Sequence, residues 1–450
     1  MHSRTYRKSA KPWAILIACC IVDMIGLTVP VTMFSVFLTP IKDSLGLSMS
    51  QVQIYNTAMM VTTILTTALG SRILRLGVGK VIAASSIGIM AGYWVLALHP
   101  GVGAIVFAGI MAGCYPLLSI FTMPIVIGNW FFKNQGTWIS VCIAMSGLGG
   151  LIMSPVVTSL IASYGWQAAA MMASSSLVIP FLLGAFLIRE SPLPQGILPQ
   201  GATAEDLEKE ETDSKVAQEH EQDPQTVFMP GATYAQAVKS PAFIFCAIAL
   251  FSTGFQSAYA TNMNPLVQSA GYGAEAAAIA LMGMSLGNLI GKPVWGILRD
   301  RIGAFLTGCF SFGLFSLGLA LCIYCMFVPN GVLMTIVAFL IGFGGTSGLN
   351  MPSLYVKDSF GSLEFGKIYS SLMGVRSIGA AVVYPLVGIL FDATGSYLAL
   401  VVVLIVAGLI MIPTGYFSVK MGRKLWRTDT SVFGAPRDAD ISLQANPVTK

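Results

Sequence analysis

Twelve runs of about 20 mostly apolar residues fill this chain, and that is the length an α-helix needs to cross a lipid bilayer. They lie near 13–38, 51–71, 80–98, 102–127, 138–162, 167–188, 242–263, 274–297, 304–327, 331–354, 367–390 and 396–418. Strands of a membrane barrel would be about 9–11 residues long with alternating polarity, a pattern these runs lack. The expected fold is therefore all-α and membrane-embedded, with twelve transmembrane helices in two six-helix halves. Composition agrees, at 55% hydrophobic and 10% charged residues, where soluble domains carry about 25% charged. So few charges cannot clothe a water-soluble protein of this size, which excludes an ordinary cytosolic enzyme. Disorder and a disulfide-stapled scaffold are excluded with it, since they need low hydrophobicity or dense cysteine. The first run is too long for a signal core, contains Asp23 and lacks a small-residue cleavage site, so it reads as a retained span.

Lys and Arg in short loops set the orientation of such a bundle. With the N-terminus in the cytoplasm, 22 of the 25 basic residues fall on the cytoplasmic side, leaving Lys42 in an outside loop and Lys292 and Arg376 within spans. Both termini are therefore expected in the cytoplasm, and the net charge of +5 needs no nucleic-acid partner. Between the sixth and seventh runs lie Pro192, Pro194 and Pro199, then nine acids from Glu205 to Asp223. Such a segment cannot bury apolar area and reads as a cytoplasmic linker. The expected organisation is a six-helix half over 1–190, an acidic linker over 191–240, a second half over 241–420 and a cytoplasmic tail over 421–450. All eight cysteines lie in spans without metal-ligand spacing to a histidine, and they read as packing residues. Neither a metal nor a cofactor is expected. There is no phosphate-cradling loop, and no Ser/His/Asp set lies in the spans.

A weak repeat links the halves. Gly70, Arg75 and Gly77 after the second span recur as Gly296, Arg301 and Gly303 after the eighth, at a constant offset of 226 residues. Parallel six-helix halves of this kind suit alternating access, in which one half rocks against the other. The second copy, Gly296-Ile-Leu-Arg-Asp300-Arg301-Ile-Gly303, resembles the loop motif of the major facilitator superfamily. That resemblance implies that Asp300 and Arg301 pin helix ends together in one conformational state. The first copy departs from the pattern, with Leu74 where Asp is usual. Asn129-Trp130-Phe131, then Gly147-Leu-Gly149-Gly150, Pro155 and Gly165-Trp166, are similar to the oxalate:formate antiporter and monocarboxylate transporter branch. So are Arg189-Glu-Ser-Pro192 and Asp358-Ser-Phe360-Gly361. The resemblance runs along nearly the whole chain apart from linker and tail.

A charge at mid-membrane costs about 2.5–3.5 kcal/mol even on lenient scales, so it faces a cavity or a partner. The three candidates are Asp23 in the first span, Lys292 in the eighth and Arg376 in the eleventh. Arg376 lies near the middle of its span, on a face shared with Tyr369, Met373, Ala380 and Tyr384 at helical spacing. The resemblance implies that a cation here contacts a substrate carboxylate, and a guanidinium can hold one in a bidentate way. Lys292 lies one turn beyond Asn288; relatives usually carry Arg at the former, and some carry Asp at the latter. Asp23 admits three readings: a counter-charge to Arg376 or Lys292, a protonatable coupling site, or a solvated carboxylate near the fourth span. Tyr55, Tyr115, Thr122, Gln256, Tyr259 and Asn350 are further polar candidates for the cavity wall.

Two cations less one carboxylate leave +1, suited to a monoanion, and protonating Asp23 leaves +2, suited to a dianion. The expected function is secondary active transport of small mono- or dicarboxylate anions, as an antiporter with a counter-anion or as a proton symporter. The expected setting is a bacterial inner membrane, with lipid and the substrate as partners and a monomeric assembly. A drug or amphipathic-compound exporter of the same superfamily, or a transport-incompetent sensor, is the alternative.

Overall fold

The computed structural model describes residues 9–202, 231–361 and 363–426. Its helices follow the twelve apolar runs one for one. In the first half α1 is Lys11–Leu45, α2 Met49–Leu74, α3 Val78–Leu98 and α4 Val102–Trp130. One helical stretch, Gln135–Leu187, is divided at Gly165 (φ 80°, ψ 166°) into α5 (135–164) and α6 (166–187). Only glycine adopts that backbone without strain, which is why the chain turns there. In the second half α7 is Pro241–Ser269, α8 Ala274–Ile302, α9 Ala304–Phe327, α10 331–360, α11 Phe365–Thr394 and α12 Leu398–Arg423. Residues 1–8, 203–230 and 427–450, with most of the acidic linker and the tail, lie outside the described residues.

Several helices run past the apolar stretch or break inside it, each for a local reason. The first was expected over 13–38 but continues to Leu45, where Gly46 (φ 62°) closes it in the left-handed conformation. Within it Pro30 lacks an N–H, and Thr28–Met33 loosens into a π-helical turn. Tyr55 donates to the Pro30 carbonyl (2.8 Å) and Tyr93 to the Val29 carbonyl (2.9 Å). In α4 the sequence Gly113-Cys-Tyr-Pro116 interrupts the helix. The Gly113 carbonyl accepts from Thr66 (3.2 Å) and Thr63 (3.4 Å) of α2, so the backbone group freed by the break keeps partners inside the membrane.

In lipid, helices gain little from apolar burial alone, and small residues let backbones meet. Gly109 of α4 lies against the Tyr55 carbonyl of α2, Gly254 of α7 against the Arg376 carbonyl of α11, and Gly342 of α10 against the Met284 carbonyl of α8. A side chain at Gly342 has no room, whereas Gly313 faces nothing within 4 Å. Gly342→Leu is therefore expected to lower the thermal midpoint in detergent by several degrees or to prevent folding, with Gly313→Leu close to neutral. Equal midpoints for the two would overturn this packing account.

The halves meet along three helix pairs: α2 with α11, α5 with α8, and α1 with α7. Exchanging the halves turns the first pair into the second and leaves the third unchanged, as two equivalent six-helix units require. The turns after α4 and α10 lie at one end, called here the linker end. There Gln200 bonds both to the Trp130 carbonyl (2.8 Å) and from the Phe132 N–H (3.0 Å), and Ala232 donates to the Phe360 carbonyl (2.8 Å). A short helix, Tyr234–Lys239, follows. Glu364 accepts from its first N–H (2.5 Å) and from Lys367 (2.6 Å). These two contacts, with the Lys367 charge, hold the Glu364 carboxyl below the usual range.

At the opposite end the halves are bonded directly. Asp392 of α11 accepts from the Met49 N–H (2.8 Å) and the Ser50 N–H (3.0 Å) at the start of α2. Gln53 of α2 donates to Asn262 of α7 (2.5 Å), and the Asn264 N–H to Ser35 of α1 (3.3 Å).

Candidate functional site

Between the halves lies a cavity of about 180 Å³ walled by residues of α1, α2, α4, α5, α7, α8, α10 and α11. Six of the residues singled out in the sequence line it together: Arg376, Lys292, Asn288, Tyr115, Tyr259 and Gln256. They come from four helices, α4, α7, α8 and α11, and converge because the close glycine contacts bring α7 against α11 and α8 against α10. Much of the remaining wall is apolar, with Leu27, Val31, Met60, Ile120 and Met284.

Arg376 is partly buried, and its Nε has no hydrogen-bond partner among the described residues. The groups in electrostatic range of its guanidinium are Tyr115, Tyr369 and Tyr384, all uncharged phenols. The ion pairs found among the described residues, Lys42–Asp43, Lys367–Glu364 and Arg423–Asp358, lie elsewhere. Tyr384 lines the cavity one helical step from Ala380 and donates to the Ser257 carbonyl (3.4 Å). Tyr369 does not line it. Seven residues before Arg376, it lies two turns along α11, with its ring stacked on Phe365 (centroids 5.2 Å apart, planes at 10°).

Lys292 reaches across the interface. Its ammonium donates to the Ile143 carbonyl (2.7 Å) and to the Ser146 hydroxyl (2.8 Å) of α5. Asn288, one turn earlier, accepts from Tyr259 (3.2 Å). Tyr259 in turn packs edge-on against Phe315 at 5.3 Å and sits under Gly345, where a side chain would collide with its ring. Gln256 is 2% exposed, and its Oε1 has no partner among the described residues.

Asp23 is fully buried outside the cavity lining. Ser119 of α4 donates to one of its oxygens, and Oδ2 has no partner among the described residues. It forms no ion pair with Lys292 or Arg376 among the described residues, although Lys292 is within electrostatic range. Its full burial beside Ser119 leaves the carboxylate without solvent.

The repeated loops have matching geometry. Gly77 (φ 100°) and Gly303 (φ 84°) each stand immediately before the next helix in a conformation that favours glycine. Arg75 and Arg301 are exposed, a side chain added at Gly70 would meet the Phe121 ring in ordinary contact, and the Asp300 side chain is outside the described residues. Among the other polar candidates, Tyr55 is fully buried between α1 and α3, bonded to Pro30 and Tyr93 (2.9 Å). Thr122 is buried away from the cavity, and the Asn350 side chain is outside the described residues. Sequence reasoning did not single out Ser146, Ser119, Ser257 or Ser285 for the site. A serine in a span carries no charge to draw attention, and only the neighbouring stretch Gly147-Leu-Gly149-Gly150 marked that part of α5.

The sequence matches the profile of the Major Facilitator Superfamily over residues 16–383 and again over 247–432. The chain belongs to this family of membrane carriers. Among solved structures it is similar to one titled "Crystal structure of D-xylose-proton symporter", at 14% identity, covering 91% of this chain and 96% of that one, with a TM-score of 0.64. At that identity the likeness is one of fold. No curated protein matches the chain.

Proposed function

We propose that this protein is a secondary active carrier of small organic carboxylate anions, of the oxalate:formate and monocarboxylate type, working by alternating access. The observation that carries this reading is Arg376, a guanidinium on the cavity wall with no acidic partner among the described residues. A desolvated cation without a counter-charge is costly, and an incoming carboxylate that pairs with it recovers that cost. Asn288, Gln256, Tyr115 and Tyr259 supply hydrogen bonds around the anion, Tyr369 supports the helix face below, and Lys292 adds a second positive charge. Asp23 is the coupling group for proton symport, with exchange against a counter-anion as the other mode. The linker end faces the cytoplasm of a bacterial inner membrane, the loops carrying Arg75 and Asp300-Arg301 act as gates there, and the protein works as a monomer.

Lactate, benzoate and oxalate offered to proteoliposomes test this directly. Counterflow of at least one labelled acid, lost in Arg376→Gln, is the expected result. A carrier that moves none of them, or moves them equally well without Arg376, overturns it. The apolar wall formed by Leu27, Val31, Met60, Ile120 and Met284 favours a second reading, export of amphipathic compounds. Efflux of a cationic dye that survives loss of both Arg376 and Lys292 would decide for that one.

A further inference from the structure

Lys292 shows two features that a cation serving only as an anion ligand would not combine. It lines the cavity, yet two of the three donors of its ammonium are already used, on the Ile143 carbonyl (2.7 Å) and the Ser146 hydroxyl (2.8 Å). Both partners belong to α5 in the first half, whereas Lys292 belongs to α8 in the second. The other hydrogen bonds that cross between halves among the described residues, from Asp392, Gln53 and Asn264, all lie toward the opposite end. Lys292 stands ten residues from the linker end of α8, and Ile143 stands eight residues from the linker end of α5. On that side of the cavity the described halves are therefore hydrogen-bonded to each other through one ammonium.

Ser146 sets how that ammonium is held. Its hydroxyl donates to Ile143 (2.8 Å) and accepts from Lys292, so carbonyl, hydroxyl and ammonium close a ring of three hydrogen bonds. Its own carbonyl accepts from Thr28 of α1 (3.2 Å), which fixes this turn of α5 against its neighbour. Gly147 lies against Leu289 and Gly150 against Ser285, so α5 and α8 run close enough for the lysine to span the gap.

The geometry points to Lys292 as a tether between the halves that a bound anion loosens, with Ser146 as its positioning residue. This rests on the carboxylate reading of the cavity. A carboxylate arriving at Lys292 takes the ammonium's third proton, and its charge then draws the ammonium away from Ser146 and the Ile143 carbonyl. Binding therefore withdraws the ammonium from α5, and the empty carrier stays held on its linker side. The competition has an unusual sign: weakening the tether should strengthen binding.

The test combines hydrogen–deuterium exchange of the ligand-free protein with titration of lactate and benzoate. In Ser146→Ala the amides of 135–147 and 286–302 should exchange several-fold faster. Both acids should bind about 3- to 10-fold more tightly, the effect of returning one hydrogen bond's worth of the ammonium to the ligand. Ser146→Thr, which keeps the hydroxyl, should restore both values, and the gain should appear in KM rather than in maximal counterflow. Lys292→Gln should raise exchange in the same segments while weakening binding. Unchanged exchange in Ser146→Ala, or weakened binding, overturns the tether. Should Ser146→Ala fail to fold, unchanged exchange in Lys292→Gln overturns it equally. If neither acid binds the wild type, the carboxylate reading fails, and the tether is judged on exchange alone.

Discussion

Arg376→Gln should leave a protein that is folded, somewhat more heat-stable than the wild type, and unable to hold a carboxylate. Removing one member of a desolvated ion pair costs about 2–4 kcal/mol, which is roughly a 30- to 700-fold loss of affinity. The opposite sign of the stability change follows from the unpaired guanidinium, whose neighbours are the phenols of Tyr115, Tyr369 and Tyr384. Without ligand that charge is desolvated for no return, and a neutral side chain of similar length relieves the strain on the empty protein. Arg376→Lys keeps the charge but loses the planar fork, so a drop of about tenfold is expected. Isothermal titration with lactate and benzoate, alongside a thermal melt without ligand, reads both signs. An Arg376→Gln protein that binds as the wild type does, or melts well below it, would show that the guanidinium serves the fold and not the anion.

The second large effect is conformational. Asp392 lies on α11 and caps the first two N–H groups of α2 with both carboxylate oxygens, at 2.8 and 3.0 Å. Those N–H groups have no partners within their own helix, and the positive end of the helix dipole favours a carboxylate there. Gly388, one turn earlier on α11, lets the helix ends approach closely enough to meet Ser50. Asp392→Ala should remove about 1–2 kcal/mol from the closed arrangement of that end, a roughly 5- to 30-fold shift toward separation. Spin labels placed on α2 and α11 near this end should report a longer or broader distance distribution, with Asp392→Asn intermediate. A distribution identical to the wild type would mean that the cap adds nothing to closure.

Much of the architecture was legible because burial in lipid leaves a coarse signature. The twelve apolar runs each mapped onto a helix of the structure, with ends shifted by up to about two turns. Gly46 and Gly165, which end helices in backbone conformations few residues accept, were not read as helix ends from the sequence. The breaks inside α4 and the loosening of α1 were less legible than the runs themselves. Pro116 and Pro30 announce trouble, but the hydroxyls of Thr63, Thr66, Tyr55 and Tyr93 that make the breaks tolerable come from other helices. Of the site, the intramembrane charges stood out because each is expensive. Their partners did not, since helical periodicity ranks residues along one face and says little about what crosses a gap. Tyr369 illustrates this: it shares the face of Arg376 but lies two turns away with Phe365. Asp23 illustrates the converse. Sequence offered it two cations as partners, and the neighbouring α4 supplied Ser119 instead.

The connection between the halves has a mechanical consequence. Gln200 is fastened to the turn after α4, and Ala232 to the turn after α10, so each end of the connecting segment rides with its own half. Neither anchor bonds one half to the other: among the described residues, the hydrogen bonds that cross between the halves come from Asp392, Gln53, Asn264 and Lys292. The relative motion of the halves is then governed by the side chains that bridge them, Asp392 at one end and Lys292 nearer the other.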